Sequence, residues 1–430
     1  PQQTSLSTYV FYKAYEILLR WCHQNKDASH GIPAEFFGHL LTEGTYGADH
    51  LMRRKAPSGS FYRSIRRGMR EFGPADRTRH IGYELRRSSA QFGNAFSANE
   101  EKITDEFYEV GFRMGGGFAI AALAIAARHP YASQCFSTDD YLETAIHSYQ
   151  YLLSNNERYV NDGRWNLIDK YAALVAATEI YLTTRKDEWY CKAEEMLHQL
   201  LHHTVAVGEN MLRWNVDEDI PYFHAAEAGL PVIALMTFYN AFPATAAGIT
   251  ALATAEKAMR YEISITDETT NPFGYPRYTW KDCKGKLQNR FFFPHNSTVS
   301  PWWQGENARL GSLSVAALYV AKETNDTKLC NRLRRYAQQC IDWISGLNPF
   351  RICMIQGSGY QNARYFSQGC YKLQCPGGIV NGITSNIEDE EGIMFIHDLE
   401  QGYDDNWRWG EQWIPHSSWY LYALAMKYNI

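Results

Sequence analysis

Along most of the chain, apolar residues recur at i, i+3, i+4 and i+7, the spacing that lines one face of an α-helix. The pattern predicts a first helix over 9–23, closed by a polar cluster. Further helices are predicted at about 118–128, 140–153, 168–184, 188–203, 225–240 and 246–261. Three more follow at about 307–322, 328–345 and 413–427. Most arrive in pairs joined by short polar turns, such as Thr183-Thr-Arg-Lys-Asp187 and Glu323-Thr-Asn-Asp-Thr327. Successive helical hairpins describe either a solenoid or a closed α/α barrel. No repeat of fixed length is visible, which favours the barrel. The basic, irregular stretch 53–87 reads as an excursion over the surface. Gly115-Gly116-Gly117 has no strand before it and no Lys-Ser/Thr after it, so it reads as room for close backbone packing rather than a phosphate cradle.

Long aromatic loops interrupt the pairing at 271–306, 348–392 and 396–410, and loops of that length in a compact domain are usually functional. The tail after them, DDNWRWGEQWIPHSSWYLYALA over 404–425, sets acids, an arginine and four tryptophans against an apolar helical run. Aromatic faces beside a carboxylate and a guanidinium suit a polar sugar ring and protonation of an oxygen on it. Glu411 stands between Trp409 and Trp413. A carboxyl flanked by indoles can hold its proton and act as a general acid, whereas a glutamate in a helix's first turn is the plain structural reading. The run Pro301-Trp302-Trp303-Gln-Gly-Glu306-Asn307-Ala-Arg309 offers two stacking faces ahead of a helix, with Glu306 and Arg309 just behind them. The 348–392 loop carries Gln361, Asn362 and Arg364, and an acid cluster over 388–391 that includes Asp389. Trp214-Asn-Val-Asp-Glu-Asp219 reads either as a carboxylate at a cleft rim or as a helix N-terminus.

Composition narrows the classes. A 45% hydrophobic content supports a full core, and a net charge of −5 leaves no footprint for nucleic acid or an anionic membrane. No apolar run is long enough to span a bilayer. Nine scattered cysteines, an odd number without a CxxC pair, point away from a disulfide framework or zinc site and toward a reducing, cytoplasmic setting. The fourteen histidines show no HExxH, and there is no GxSxG elbow, so no metal, cofactor or covalent nucleophile is expected.

Several stretches resemble glycoside hydrolase family 9. EQWIPHSSWYLYALA resembles its C-terminal signature, WISGLNPF the helix end before its sugar-contacting loop, and GENARLGSLSVAALYVA the preceding barrel helix. DKYAALVAATEIYL and YEVGFRMGGGFAIAALA fit its earlier helices. The wording NPFGYPR, FFFPH, WWQGENARL, GGIVNGITS and NWRWGEQWIPH looks most like the exo-β-D-glucosaminidase branch. The resemblance covers about residues 105–430. It implies an all-α (α/α)6 barrel, a six-hairpin toroid forming a single catalytic domain over 1–430. It also implies inverting release of glucosamine from the non-reducing end of chitosan-type β-1,4 oligosaccharides. Glu411 matches the family's general acid. Trp302, Trp303, Arg309, Arg364, Arg408 and Trp409 fall where the subsite is shaped, and Glu306 or Asp389 would bind a glucosamine ammonium.

The family's aspartate pair, in a DAGDY-like loop, has no counterpart here, and the opening PQQTSLSTYVFYKAYEILL resembles the segment just after it. The resemblance therefore implies an N-terminally truncated form without the first barrel helix. Asp105, before GFRMGGG, is the nearest acid in a similar context. A catalytically silent sugar-binding protein and a cello-oligosaccharide hydrolase are the alternative expectations.

Overall fold

A computed structural model describes residues 2–25, 31–63, 109–292, 305–386 and 392–428, apart from 132, 134, 161, 162 and 283, together with short strands at Ile65–Arg67 and Ala75–Arg77. The chain divides into two compact units, one of Pro1–His203 with Thr237–Gly248, the other of Thr204–Met236 with Ile249–Ile430.

The first unit is built from α1 (Gln2–Gln24), α2 (Ala34–Arg53), α3 (Gly116–Arg128), α4 (Thr138–Asn155), α5 (Leu167–Thr184) and α6 (Asp187–Leu201). α3 is buried from Gly116 to Ala126 and α5 along most of its length, whereas α4 and α6 bury one face. A helix apolar all round belongs inside and an amphipathic one outside. Accordingly α3 packs on α1, α4 and α5, and α5 on α6. Gly117 allows the closest of these approaches, because a Cβ there would lie 2.6 Å from that of Ala172. Gly115 caps the helix in the left-handed conformation at φ 108°. The triple glycine thus serves close packing at Gly117 and a left-handed cap at Gly115. Buried charges are paired: Arg113 Nε meets Asp169 at 2.7 Å, and Glu179 takes Lys13 at 3.2 Å and also Arg128.

Apolar periodicity missed α2 altogether. Its buried face is Leu40, Gly44, Thr45, Gly47, Ala48, Asp49 and Leu51, and a Cβ on Gly44 or Gly47 would strike Tyr12 or Thr8 of α1. Glycines and polar residues interleave with Leu40, Ala48 and Leu51 on that face, so its apolar spacing is thinner than that of α1.

α7 (Leu230–Ala241) and α8 (Ala246–Asp267) contribute to both units. The second unit continues with α9 (Glu306–Glu323), α10 (Thr327–Ser345), the single turn α11 (Trp407–Gly410) and α12 (Ile414–Lys427). α9 is buried at every residue from Glu306 to Ala321, and it packs against amphipathic α10 and against α12. Gly311 permits the last contact, since a Cβ there would sit 2.7 Å from that of Trp419.

Two loop expectations are corrected here. The 214–219 stretch is no helix start: Met211–Asp217 is a strand, paired antiparallel with Thr204–Val207 and Ile220–Pro221. Its alternating Trp214, Val216 and branched neighbours suit a pleated surface. Within the 271–306 loop, Tyr278–Lys281 and Leu287–Arg290 form a hairpin. No helix among the described residues is long and apolar enough to cross a membrane.

Candidate active site

Glu411 lies between two helices rather than in the first turn of one. It caps α11 with extended backbone, φ −69° and ψ 137°, and α12 begins three residues later with Trp413 as its N-cap. The N-terminus dipole reading of this residue is therefore replaced by a turn whose carboxyl is set by its neighbours. Trp413 Nε1 donates to Glu411 Oε2 at 2.8 Å, which fixes the rotation of the carboxyl group.

Backbone bonds hold the turn from behind. Asn381 N donates to Glu411 O at 2.9 Å, and Gly382 N donates to Trp409 O at 2.9 Å. The Asn381 amide then joins three elements. Its Nδ2 donates to Trp407 O at 2.8 Å and its Oδ1 lies 2.8 Å from His416 Nε2. Burial holds His416 down at about 3, so its ring is neutral, and an amide oxygen can only accept. The proton therefore sits on Nε2. The same imidazole stacks on Trp413, centroids 6.0 Å apart and 14° from parallel. Asn307, at the start of α9, donates from N to Asn381 O at 3.2 Å and from Nδ2 to Val380 O at 2.8 Å. Gly382 can pass this close to the Asn307 amide only without a Cβ, and its φ of 103° also requires glycine.

The hairpin of Phe366–Ser367 and Cys370–Tyr371 lies beside the same turn. Asn406 ties it down, donating to Arg364 O at 2.6 Å and to Ile396 O at 2.9 Å while accepting from Phe366 N at 2.8 Å. Gln374 Nε2 donates to Gly410 O at 3.3 Å. Gly410 has no room for a side chain: a Cβ would stand 2.8 Å from Asn406 Nδ2 and 3.1 Å from Arg364 O. The Tyr365 hydroxyl is raised by partial burial and then by the negative charges of Glu411 and Asp405, which places the phenol in the field of the Glu411 carboxyl.

The other expected site residues separate into four groups. Arg408 and Trp409 are 2% and 1% exposed, with the guanidinium 5.3 Å from the indole centroid, so both side chains are buried rather than open to a ligand. Glu306 and Arg309 form a buried pair at 3.1 Å, and the Tyr275 hydroxyl also donates to Glu306. Burial would lower the Arg309 pKa, but Glu306 and the tyrosines Tyr275 and Tyr278 around it hold it well above its usual value. Arg309 lies over the Tyr275 and Tyr278 rings and donates to Pro276 O at 3.1 Å. It also borders a cavity of about 30 Å³ with Arg213, His224, Tyr261 and Glu262, in which burial raises Glu262 to about 7. Arg364 is exposed and rests against Tyr371. Trp302, Trp303, Asp389 and Asp105 lie outside the described residues.

Sequence reasoning passed over Asn381, Asn406, Gln374 and His416 as positioning residues. Asn381 and Gly382 stood in the sequence only within the GGIVNGITS stretch, and the fold shows that they are wedged between α9 and the Glu411 segment.

No family model and no curated protein matches the chain. Solved structures do. The cellulase Cel9M of C. cellulolyticum in complex with cellobiose is 14% identical, with a TM-score of 0.60 over 100% of this chain and 85% of that chain. Endoglucanase CelQ from Clostridium thermocellum, complexed with cellotriose, is 15% identical at a TM-score of 0.56, covering 99% of this chain and 61% of that one. A metagenome-derived glycoside hydrolase family 9 endoglucanase is 15% identical at 0.57, covering 100% and 68%. These likenesses show the fold: the chain has the all-α, (α/α)6-type architecture of family 9 endoglucanases.

Proposed function

We propose that this protein is a glycoside hydrolase that cleaves β-1,4-linked gluco-oligosaccharides of the cello type with inversion, and that Glu411 is its general acid. The observation that carries the reading is the Glu411 turn, an acid held by Trp413 and by Asn381 at the junction of α11 and α12. The fold supports it, since the solved neighbours are cellulases and endoglucanases, some with cellobiose or cellotriose bound. In this mechanism Glu411 gives its proton to the glycosidic oxygen as the C1–O bond breaks. Inversion also calls for a second carboxylate about 6.5–9.5 Å from Glu411, which takes a proton from the water that attacks C1 on the opposite face. No acid of this sequence is assigned to that role, because the aspartate pair that the resemblance calls for has no counterpart in it. Arg364 stands at the rim of this site. Trp302 and Trp303 are assigned as stacking faces ahead of α9, and Asp389 as a polar contact.

The second reading is release of glucosamine from the non-reducing end, supported by the wording of GGIVNGITS and NWRWGEQWIPH. It needs a carboxylate for the ammonium. Of the two acids that the resemblance offers for it, Glu306 is a poor one, because Arg309 and Tyr275 already occupy it, which leaves Asp389 as the candidate of this second reading.

The test compares cellotetraose with the β-1,4 glucosamine tetramer, following products and their anomeric form by NMR. We expect faster cleavage of cellotetraose with an α-anomeric product. Glu411→Gln should lower kcat on the order of 10²–10⁴-fold while binding persists. Preference for the glucosamine tetramer would establish the second reading. Binding of either sugar without cleavage would make the protein a silent sugar-binding module.

A further inference from the structure

We infer that Tyr371 is a stacking platform for a pyranose ring two or more units removed from the one that Glu411 serves. The inference rests on the reading of Glu411 as part of a saccharide site and names a residue outside the catalytic turn.

Three observations carry it. Tyr371 leaves 47% of its surface in water although it is a large aromatic, and its loop also carries Tyr360 and Leu373 at 99% and 96% exposed. An exposed aromatic by itself is ordinary. Unlike Tyr360, for which no ring contact is found among the described residues, Tyr371 is held. Its ring meets Phe366 edge-on with centroids 6.1 Å apart, the Arg364 guanidinium lies 5.2 Å from its centroid, and Arg364 donates to its hydroxyl at 3.3 Å. A ring fixed in advance loses little rotamer freedom when a ligand covers it. The arginine that holds the ring also connects it to the site, because the Arg364 carbonyl packs on Gly410, the residue before Glu411, and accepts from Asn406. The platform and the acid are therefore parts of one braced assembly. A pyranose suits this surface: its axial C–H face covers the ring while its equatorial hydroxyls reach Arg364. A free peptide or lipid chain would gain nothing from the adjacent acid.

The test uses the Glu411→Gln protein, so that oligosaccharides bind uncleaved, and compares cellobiose with cellotetraose by calorimetry. Tyr371→Ala should weaken cellotetraose roughly three- to tenfold, the range for one aromatic contact, and leave cellobiose within twofold. Tyr371→Trp should restore the tetraose affinity, which a merely structural role at this exposed position would not do. Equal tetraose affinity in Tyr371→Ala and its parent overturns the platform and leaves the Glu411 reading standing. A parent that binds neither sugar overturns both.

Discussion

His416 shows how much of this site depends on a side chain that touches no substrate. Its neutral ring joins Asn381 to Trp413, and those two residues hold the Glu411 backbone and carboxyl respectively. Replacing it by Phe keeps the stack on Trp413 and removes the donor to Asn381 Oδ1. An amide oxygen left unpaired at this depth costs about 1–3 kcal/mol. His416→Phe should therefore lower Tm and reduce kcat more than it changes KM, and a purely structural role would leave kcat of the folded fraction untouched. From sequence, His416 was one of fourteen histidines without metal spacing. Its use is visible only once Asn381, 35 positions away, lies 2.8 Å from it.

Two glycines separate packing from function at the scale of elements. Gly311 brings α9 onto α12 at Trp419, and Gly410 brings the 364–374 hairpin onto the Glu411 turn. Gly311→Ala adds a methyl group to a backbone contact between two buried helices. It should destabilise the protein by about 1–3 kcal/mol, seen as a lower Tm. Gly410→Ala instead pushes Arg364 and Asn406 away from the acid, so kcat/KM on cellotetraose should fall by a larger factor than for Gly311→Ala at a smaller loss of Tm. The reverse ranking would detach the hairpin from the site. Ten helices were legible from periodicity because their apolar faces are long, and α9 began within one residue of expectation. α2 was not, because Gly44 and Gly47, which meet α1, interrupt the aliphatic residues of its buried face. The strand Met211–Asp217 was missed because a short apolar run beside acids also fits a helix start.

The stability of the whole molecule should depend on pH through three groups whose pKa desolvation shifts. His416 titrates at about 3 and His224 at about 4, both lowered by burial, against ~6.5 in the unfolded chain. Between those values the unfolded state binds protons that the folded state refuses, so stability falls as pH drops below ~6.5. Glu262 has the opposite sign. Burial raises it to about 7, so as pH rises from ~4.5 the unfolded chain loses a proton that the folded chain keeps, and stability falls toward pH 7. Glu262 shares its cavity with Arg309, Arg213, His224 and Tyr261. Glu262→Gln should therefore raise Tm at pH 8 and match wild type near pH 4.5, and His416→Phe should flatten the acid limb. Thermal melts from pH 4 to 8 check both slopes.

The amino-acid order by itself determined the helical hairpins and the fold class, because a helix that buries a continuous face must write that face into its spacing. It also offers the Glu411 segment as the candidate site, since acids among tryptophans are poorly explained by a core alone. Tertiary structure decided which residues act on that acid. Trp409 and Arg408, prominent in the sequence, were buried, and Glu306 was taken by Arg309 and Tyr275. Asn381, Asn406 and His416, inconspicuous in the sequence, became its supports. Hydrogen-bond partners far apart along the chain leave no periodic trace, because they are selected by distance and direction in the folded state and not by the spacing of residue types.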